Sequence, residues 1–279
     1  MPMISRARPW LGTLVEMRVE GLAEARAIAA IEVAFAEVAA VHRCMSFHEA
    51  DSDLSRLHRA NPGAVVEVDA RTWAVLAAAC ALAEESNGRF DPAIAPHLVE
   101  RGVLPTPAAT RAAASGSWRD IELLPNSRVR RRQPVWIDLG GIAKGHAVDR
   151  ALACLRATGA SAASVNAGGD LARYGAAPER IALRHGDGGA APSIELGDAA
   201  LATSVVAPRA CAAHVNPRTG RALRARRAVS VLAANCMIAD ALTKVVLADA
   251  RIGERLLRRH RASACLRDGE RRWRMLGAE

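Results

Sequence analysis

Lysine is almost missing from these 279 residues. Of 38 Lys plus Arg, only Lys144 and Lys244 are lysine. The arginines are spread along the chain apart from runs at Arg128–Arg132, Arg224–Arg227, Arg251–Arg261 and Arg271–Arg274. Aromatics are scarce as well: five Trp, three Phe and one Tyr. Binders of single-stranded nucleic acid interleave cations with stacking aromatics, and of these runs only the last holds an aromatic, Trp273. The net charge of +9 therefore reads as diffuse and compositional, and nucleic acid is not expected as a partner. No apolar run is long enough to cross a bilayer. The opening Met-Pro-Met-Ile-Ser-Arg lacks the charged start, apolar centre and small-residue cleavage site of a signal peptide. As written the chain reads as cytoplasmic; a chain trimmed of a leader would read the same, and would be periplasmic. The six cysteines (Cys44, Cys80, Cys154, Cys211, Cys236, Cys265) show no metal-type spacing. Cys80, Cys154 and Cys236 lie in apolar helical patterns, as buried free thiols do.

What is present is ample for a core. Hydrophobic residues make up 51% and charged residues 24% of the chain, which excludes disorder as the main state. Val15, Met17 and Val19 alternate with Glu16, Arg18 and Glu20 in a half-buried strand. Ile28, Ile31, Phe35 and Val38 predict an amphipathic helix over 22–43, followed by a polar loop from Met45 to Asp53. Asp69 as N-cap and Asn87-Gly88 as stop predict a helix over 70–85. Residues 102–117 read as a Pro/Ala/Thr/Ser-rich connection. A hairpin at Pro125-Asn126-Ser127 leads to an expected strand, Val135-Trp136-Ile137-Asp138, and then to a helix over 143–157. A short strand ends in Asn166-Ala167-Gly168-Gly169-Asp170, and strands continue to Ala233. Helices are expected over 237–249 and 252–260, then a hairpin at Asp268-Gly269. Strands and helices mix without βαβ alternation, so the expected class is α+β with mixed or antiparallel sheets. With no internal repeat and no linker, residues 1–279 are expected to form a single domain with a two-lobed organisation open to it.

Three segments carry candidate chemistry. Ile137-Asp138-Leu139-Gly140-Gly141-Ile142-Ala143-Lys144-Gly145 runs through glycines into a helix start, where exposed backbone N–H groups can meet phosphate. It matches neither the P-loop nor the dinucleotide fingerprint, and a plain tight junction capped by Asp138 reads equally well. Asp240, Thr243 and Lys244 share one helix face. Carboxylate and hydroxyl oxygens suit Mg²⁺, whereas the bland reading is a solvated Asp–Lys pair. His214 stands beside the Asn216-Pro217-Arg218-Thr219-Gly220 turn, either as a general base or as a structural neighbour.

Taken in order, these segments resemble the ApbE family, flavin transferases that move FMN from FAD onto a protein. The resemblance begins at Leu11-Gly12-Thr13 and continues through Met45-Ser46-Phe47-His48, Ser52–Leu57 and Gly88-Arg89-Phe90-Asp91-Pro92. It closes with the segment from Asp138, Asn166–Asp170, Ala202-Thr203-Ser204, the Asn-Pro-Arg-Thr-Gly turn and Ala239-Asp240-Ala241-Leu242. It implies an α+β fold with helices packed around an FAD cleft, and Mg²⁺ at the pyrophosphate. Leu11, His48, Arg89, Phe90, Asp91, Asp138, Lys144 and Val215 would contact FAD. Gly141, Asp240 and Thr243 would hold the metal, and Asp240, His214 and Lys244 would be catalytic. The partner implied is an acceptor flavoprotein with a Ser/Thr flavinylation motif, esterified with release of AMP.

Departures from the family pattern sharpen these expectations. Leu11 replaces a methionine and His48 an aromatic tyrosine. His-x-x-Asp-Pro becomes Ala213-His214-Val215-Asn216-Pro217, with the histidine displaced by one residue and Asp turned to Asn. The usual metal-helix threonine four residues after Asp240 is Lys244. Either Lys244 stands in for part of the metal's charge in a working transferase, or the chain binds FAD without transferring FMN. An FAD pyrophosphatase using water as acceptor is the third alternative.

Overall fold

Backbone pairing of distant segments builds most of the molecule. The structure, a computed structural model, describes residues 3–107, 116–183, 192–206, 213–223, 227–269 and 272–277. Cys211, the arginines Arg224–Arg226 and Arg271, and 108–115 of the expected connection lie outside the described residues.

The chain opens with a hairpin of β1 (Ile4–Trp10) and β2 (Thr13–Glu20) turned at Leu11-Gly12. Both turn residues have positive φ, 57° and 72°, as the two-residue turns that suit twisted strands require. Val15, Met17 and Val19 are buried, as their alternation predicts. Next come α1 (Glu24–Met45), α2 (Asp53–Arg59), β3 (Val65–Glu67), α3 (Ala70–Glu85), α4 (Ala95–Glu100), β4 (Ile121–Leu124) and β5 (Arg128–Arg131). The second half carries α5 (Ala143–Ala157), β6 (Ala162–Ala167), β7 (Asp170–Tyr174), β8 (Glu179–Ala182), β9 (Ser193–Leu196) and β10 (Ala199–Val206). It ends with β11 (Arg227–Ala233), α6 (Cys236–Ala248), α7 (Ala250–Arg259), β12 (Ser263–Asp268) and β13 (Arg272–Leu276).

Eight strands form one sheet in the order β1-β2-β6-β7-β10-β11-β12-β13, with every pairing antiparallel. A three-stranded sheet, β3-β5-β4, and the β8-β9 hairpin stand beside it. The class is α+β, as expected. One core forms where α1 and α5 cover β2 and β6, around Met17, Ile31, Phe35, Leu155 and Val165. A second joins α3 and α6 to β10 and β11, around Leu76, Leu242, Val206 and Val231. None of the described helices is long and apolar enough to cross a membrane.

Helix ends follow their caps. Asp69 Oδ1 accepts from Arg71 N at 2.8 Å, starting α3 at the expected residue. α6 starts at Cys236, one residue early, where Asn235 accepts from Ile238 N at 2.9 Å. Asp149 of α5 accepts from Cys236 N and Met237 N at 2.7 and 2.8 Å, which ties the two helices together. The first helix runs to Met45, two residues past the expected end, and α7 begins at Ala250 rather than at 252. The short helices α2 and α4 were not expected.

One expectation is corrected. Val135-Trp136-Ile137-Asp138 is not a strand. Its backbone donors go elsewhere: Ile137 N to His58 Nε2 at 2.8 Å and Asp138 N to the Pro92 carbonyl at 2.8 Å. Apolar, β-branched composition marks burial here, while side chains and loops take the hydrogen bonds that a neighbouring strand would have taken.

Candidate functional site

The glycine segment leaves that buried stretch at Asp138 and enters α5 at Ala143. Gly140 N donates to Asp138 Oδ1 at 3.1 Å, so the carboxylate folds over its own turn. Burial raises the Asp138 carboxyl above the usual range, while the Gly140 N–H and the charges of His48, Lys144 and Lys244 act against the rise. The residue before α5, Ile142, supplies no side-chain cap.

A cavity of about 560 Å³ opens at this turn, within the range that takes a small-molecule ligand. Its lining draws on both halves of the chain. Leu11, His48, Arg89, Phe90, Asp91, Asp138, Gly141, Lys144, His214, Val215 and Lys244 all face it, so the structure brings together every expected FAD contact. Asp240 and Thr243 lie beneath this lining, fully buried. Asp91 also works structurally: Oδ1 accepts from Ala93 N at 2.8 Å and Trp118 N at 3.0 Å, and burial pushes its carboxyl up to about 6. Arg89 is held by Asp249 at 3.2 Å.

Two lysines and two aspartates form the floor of the cavity. Lys144 Nζ meets Asp170 Oδ2 at 2.5 Å and Asp240 Oδ2 at 3.4 Å. Lys244 Nζ pairs with Asp240 Oδ1 and lies 3.0 Å from Ser204 Oγ. The ammonium side chains are 31% and 24% exposed, whereas Asp170 and Asp240 are 4% and 0% exposed. The ammonium groups therefore face the cavity with Asp240 behind them, while the largely buried Asp170 reaches the lining beside Lys144. Burial opposes charge on Asp240, but Lys144 and Lys244 outweigh it and hold its carboxyl below the usual range. For Lys144 burial again opposes, and Asp240 and Asp170 outweigh it, raising the ammonium's pKa. Asp170 moves upward through burial and the neighbouring Asp240. The solvated i,i+4 pair considered from sequence is thus replaced by a buried network.

Glycines make this arrangement possible. A Cβ on Gly145 would stand 2.2 Å from the Cys236 carbonyl oxygen, so only glycine lets α5 approach α6 this closely. Gly168 and Gly169, at φ 65° and 111°, turn β6 into β7 and place Asp170 at the strand's first position. Gly141 lies against the Lys244 stem; a Cβ there would be 3.5 Å from Cγ and 3.6 Å from Cε.

Hydroxyls complete the network in one direction. Lys244 Nζ donates to Ser204 Oγ. Thr243 Oγ1 donates to the Asp240 carbonyl at 2.6 Å, which leaves the Ser204 hydroxyl to donate to Thr243 Oγ1 at 2.8 Å. His214 is pushed down to about 4 by burial and by Lys244 and Lys144, so it is neutral at pH 7.

The resemblance implies Mg²⁺ at Asp240, Thr243 and Gly141, and the donors present do not fit it. Both Asp240 oxygens are committed, Oδ1 to Lys244 and Oδ2 to Lys144 and to Gly145 N at 3.3 Å. The Thr243 hydroxyl is turned into the Ser204–Asp240 chain. Among the described residues no three His, Cys, Asp or Glu side chains gather as a metal-binding group. A divalent cation about 4 Å from an ammonium would be repelled by about 8 kcal/mol at an effective dielectric of about 20.

Asp170, Ser204 and His58 received no role from sequence. Asp170 and Ser204 lie within quoted motif segments, which was a usable signal. His58, a buried neutral acceptor for Ile137 N, gave none.

Fold and site define a class: an α+β protein with a glycine-edged cavity lined by two lysine ammonium groups and their aspartate partner Asp170. The model of the ApbE family matches residues 11–266, and the chain belongs to that family. The FAD:protein FMN transferase of Rhodobacter capsulatus is 34% identical over 266 residues, covering 86% of this chain and 50% of its own length. That of Treponema pallidum (strain Nichols) is 29% identical over 198 residues, covering 66% and 53%. The chain thus spans about half the length of these curated relatives. The solved ApbE protein of Thermotoga maritima superposes with a TM-score of 0.86 at 25% identity, covering 98% of this chain and 96% of that one. The flavin transferase ApbE of Vibrio cholerae shares the fold, with a TM-score of 0.83 at 21% identity and the same coverage.

Proposed function

We propose that this chain transfers FMN from FAD to a Ser or Thr hydroxyl of an acceptor protein and releases AMP. The observation that carries the reading is the pair of ammonium groups, Lys144 and Lys244, facing the cavity beside the Gly140-Gly141 turn and the uncapped start of α5. Backbone N–H groups at a helix start and fixed cations are what a pyrophosphate binds. Residues 1–279 act in this reading as one unit, because the cavity takes its lining from Leu11 to Leu247.

The reaction breaks one P–O bond of the pyrophosphate and forms one to the acceptor oxygen. Lys144 and Lys244 stabilise charge on the phosphoryl oxygens as the acceptor hydroxyl attacks the FMN phosphorus. The neutral His214 ring receives the hydroxyl proton and passes it on to the departing AMP or to water. Asp240 from behind and Asp170 from the side position the ammonium groups. Phe90, Leu11, His48 and Val215 line the flavin-nucleotide path, Asp138 stands where it can accept from a nucleotide hydroxyl, and Arg89 and Asp91 form a wall. Magnesium, which the resemblance implies, has no step in this scheme because the side-chain oxygens of Asp240 and Thr243 are already engaged.

The test is incubation with FAD and an acceptor domain carrying a Ser/Thr flavinylation motif. The expected result is an acceptor band that stays flavin-fluorescent in a denaturing gel. Tight FAD binding without such a band would refute transfer in favour of a binding-only protein.

A further inference from the structure

The misfit between a divalent cation and the Asp240–Thr243–Lys244 face has a positive side. We propose that the Lys244 ammonium, held by Asp240 and Ser204 at the cavity surface, is the resident cation of this site, so that the chain binds its dinucleotide without metal. The assignment rests on the reading of the cavity as an FAD site.

Three observations carry it. The first is donor accounting. An ammonium has three N–H bonds; Lys244 commits two, to Asp240 Oδ1 and Ser204 Oγ. Lys144 commits two, to Asp170 and Asp240. Each keeps one for a ligand in the cavity that both line.

The second is the way the Lys244 stem is fixed. Its Cγ and Cε pack against Gly141, across which Phe90 also leans at 3.3 Å from the Cβ position. A side chain clamped in this way, with its head tied to two partners, is preorganised rather than free to leave on ligand binding.

The third is the closure of the oxygen network. The hydrogen bonds run Lys244 to Ser204, Ser204 to Thr243 and Thr243 to the Asp240 carbonyl. The side-chain oxygens of Asp240, Thr243 and Ser204 are all engaged already, with Lys244, Lys144, Gly145 N or one another. Residue choice agrees: in a chain with two lysines among 38 cations, both stand here. A compact ammonium can occupy a metal-sized position where a planar guanidinium would not.

The experiment is an FAD titration of the wild-type protein by flavin fluorescence, in excess EDTA and in Mg²⁺, with Mn²⁺ as a paramagnetic probe in a parallel sample. The expected FAD Kd agrees within about twofold between EDTA and Mg²⁺, and Mn²⁺ stays free in solution. Lys244→Thr is expected to lose roughly ten- to a hundredfold in FAD affinity in EDTA, the worth of one hydrogen bond from a charged group, and to regain part of it with Mn²⁺. A bound Mn²⁺ in the wild type, or FAD affinity that collapses in EDTA, overturns the assignment. The wild-type titrations decide the matter even if Lys244→Thr does not fold. Metal-independent FAD binding without AMP release supports this assignment while refuting transfer, so the two can fail separately.

Discussion

Lys144 Nζ on α5 lies 2.5 Å from Asp170 Oδ2 at the first residue of β7. The contact depends on a backbone that glycine supplies most readily. Gly168-Gly169 sets the carboxylate at the top of its strand, and Gly145, next to the lysine, lets α5 approach α6 until Lys144 also reaches Asp240. The floor of the cavity is therefore built by glycines as much as by its paired charges.

Removing Cβ space at that crossing is expected to be costly. Gly145→Ala places a methyl group against the Cys236 carbonyl, 2.2 Å away before relaxation, and should cost about 1–3 kcal/mol of stability. Denaturant titration reads this as a lower midpoint with unchanged slope. FAD affinity should fall by about tenfold as the helices spread. Wild-type stability in this variant would show that the approach is loose.

Asp240 is expected to be structural as well as functional. Asp240→Asn leaves two ammonium groups over an uncharged amide and should cost about 3 kcal/mol, the low end for breaking a buried pair because cavity water reaches both lysines. Thermal or denaturant unfolding measures it. FAD affinity should fall in the same variant, and a stable variant with unaltered FAD binding would contradict the positioning role.

His58 couples pH to stability through one hydrogen bond. Its ring is pushed down to about 3 by burial, then by Arg131, and Nε2 accepts from Ile137 N just ahead of Asp138. A histidine depressed in the folded state contributes stability above its unfolded pKa of about 6.5 and loses it as pH falls towards the folded value. The unfolding free energy of the wild type relative to His58→Gln should therefore decline between about pH 6.5 and 3. A pH-independent difference would show that His58 is not a buried acceptor.

His214 should leave its mark on the rate. With its ring titrating at about 4, the ratio of wild-type to His214→Gln turnover should stay level from neutral pH down to about 5 and fall only below that. A break near 6.5 would mean an unperturbed histidine, away from the two ammonium groups.

The sequence revealed some elements to the residue and concealed others for definable reasons. α3 and α5 were legible because Asp69, Asn87-Gly88 and Gly140-Gly141 mark their ends with local chemistry. Residues 135–138 read as a strand because composition reports burial and is silent on which group takes Ile137 N; that group is His58, 79 positions away. The helix face of Asp240 and Lys244 was legible from spacing. That both would be drawn under a cavity with Lys144 and Ser204 was not, since those meetings depend on the antiparallel order of the sheet. The glycines at 145, 168 and 169 were visible throughout, but their purpose appears only once α6 and Asp170 are in place.

The stoichiometry of a single turnover distinguishes FMN transfer from hydrolysis and from binding alone. Enzyme, FAD and acceptor domain are mixed, AMP is quantified by chromatography, and acceptor-bound FMN by intact-protein mass spectrometry. AMP and FMN-acceptor are expected in equal amounts, with no free FMN. AMP accompanied by free FMN and an unlabelled acceptor, or no AMP at all, would contradict transfer.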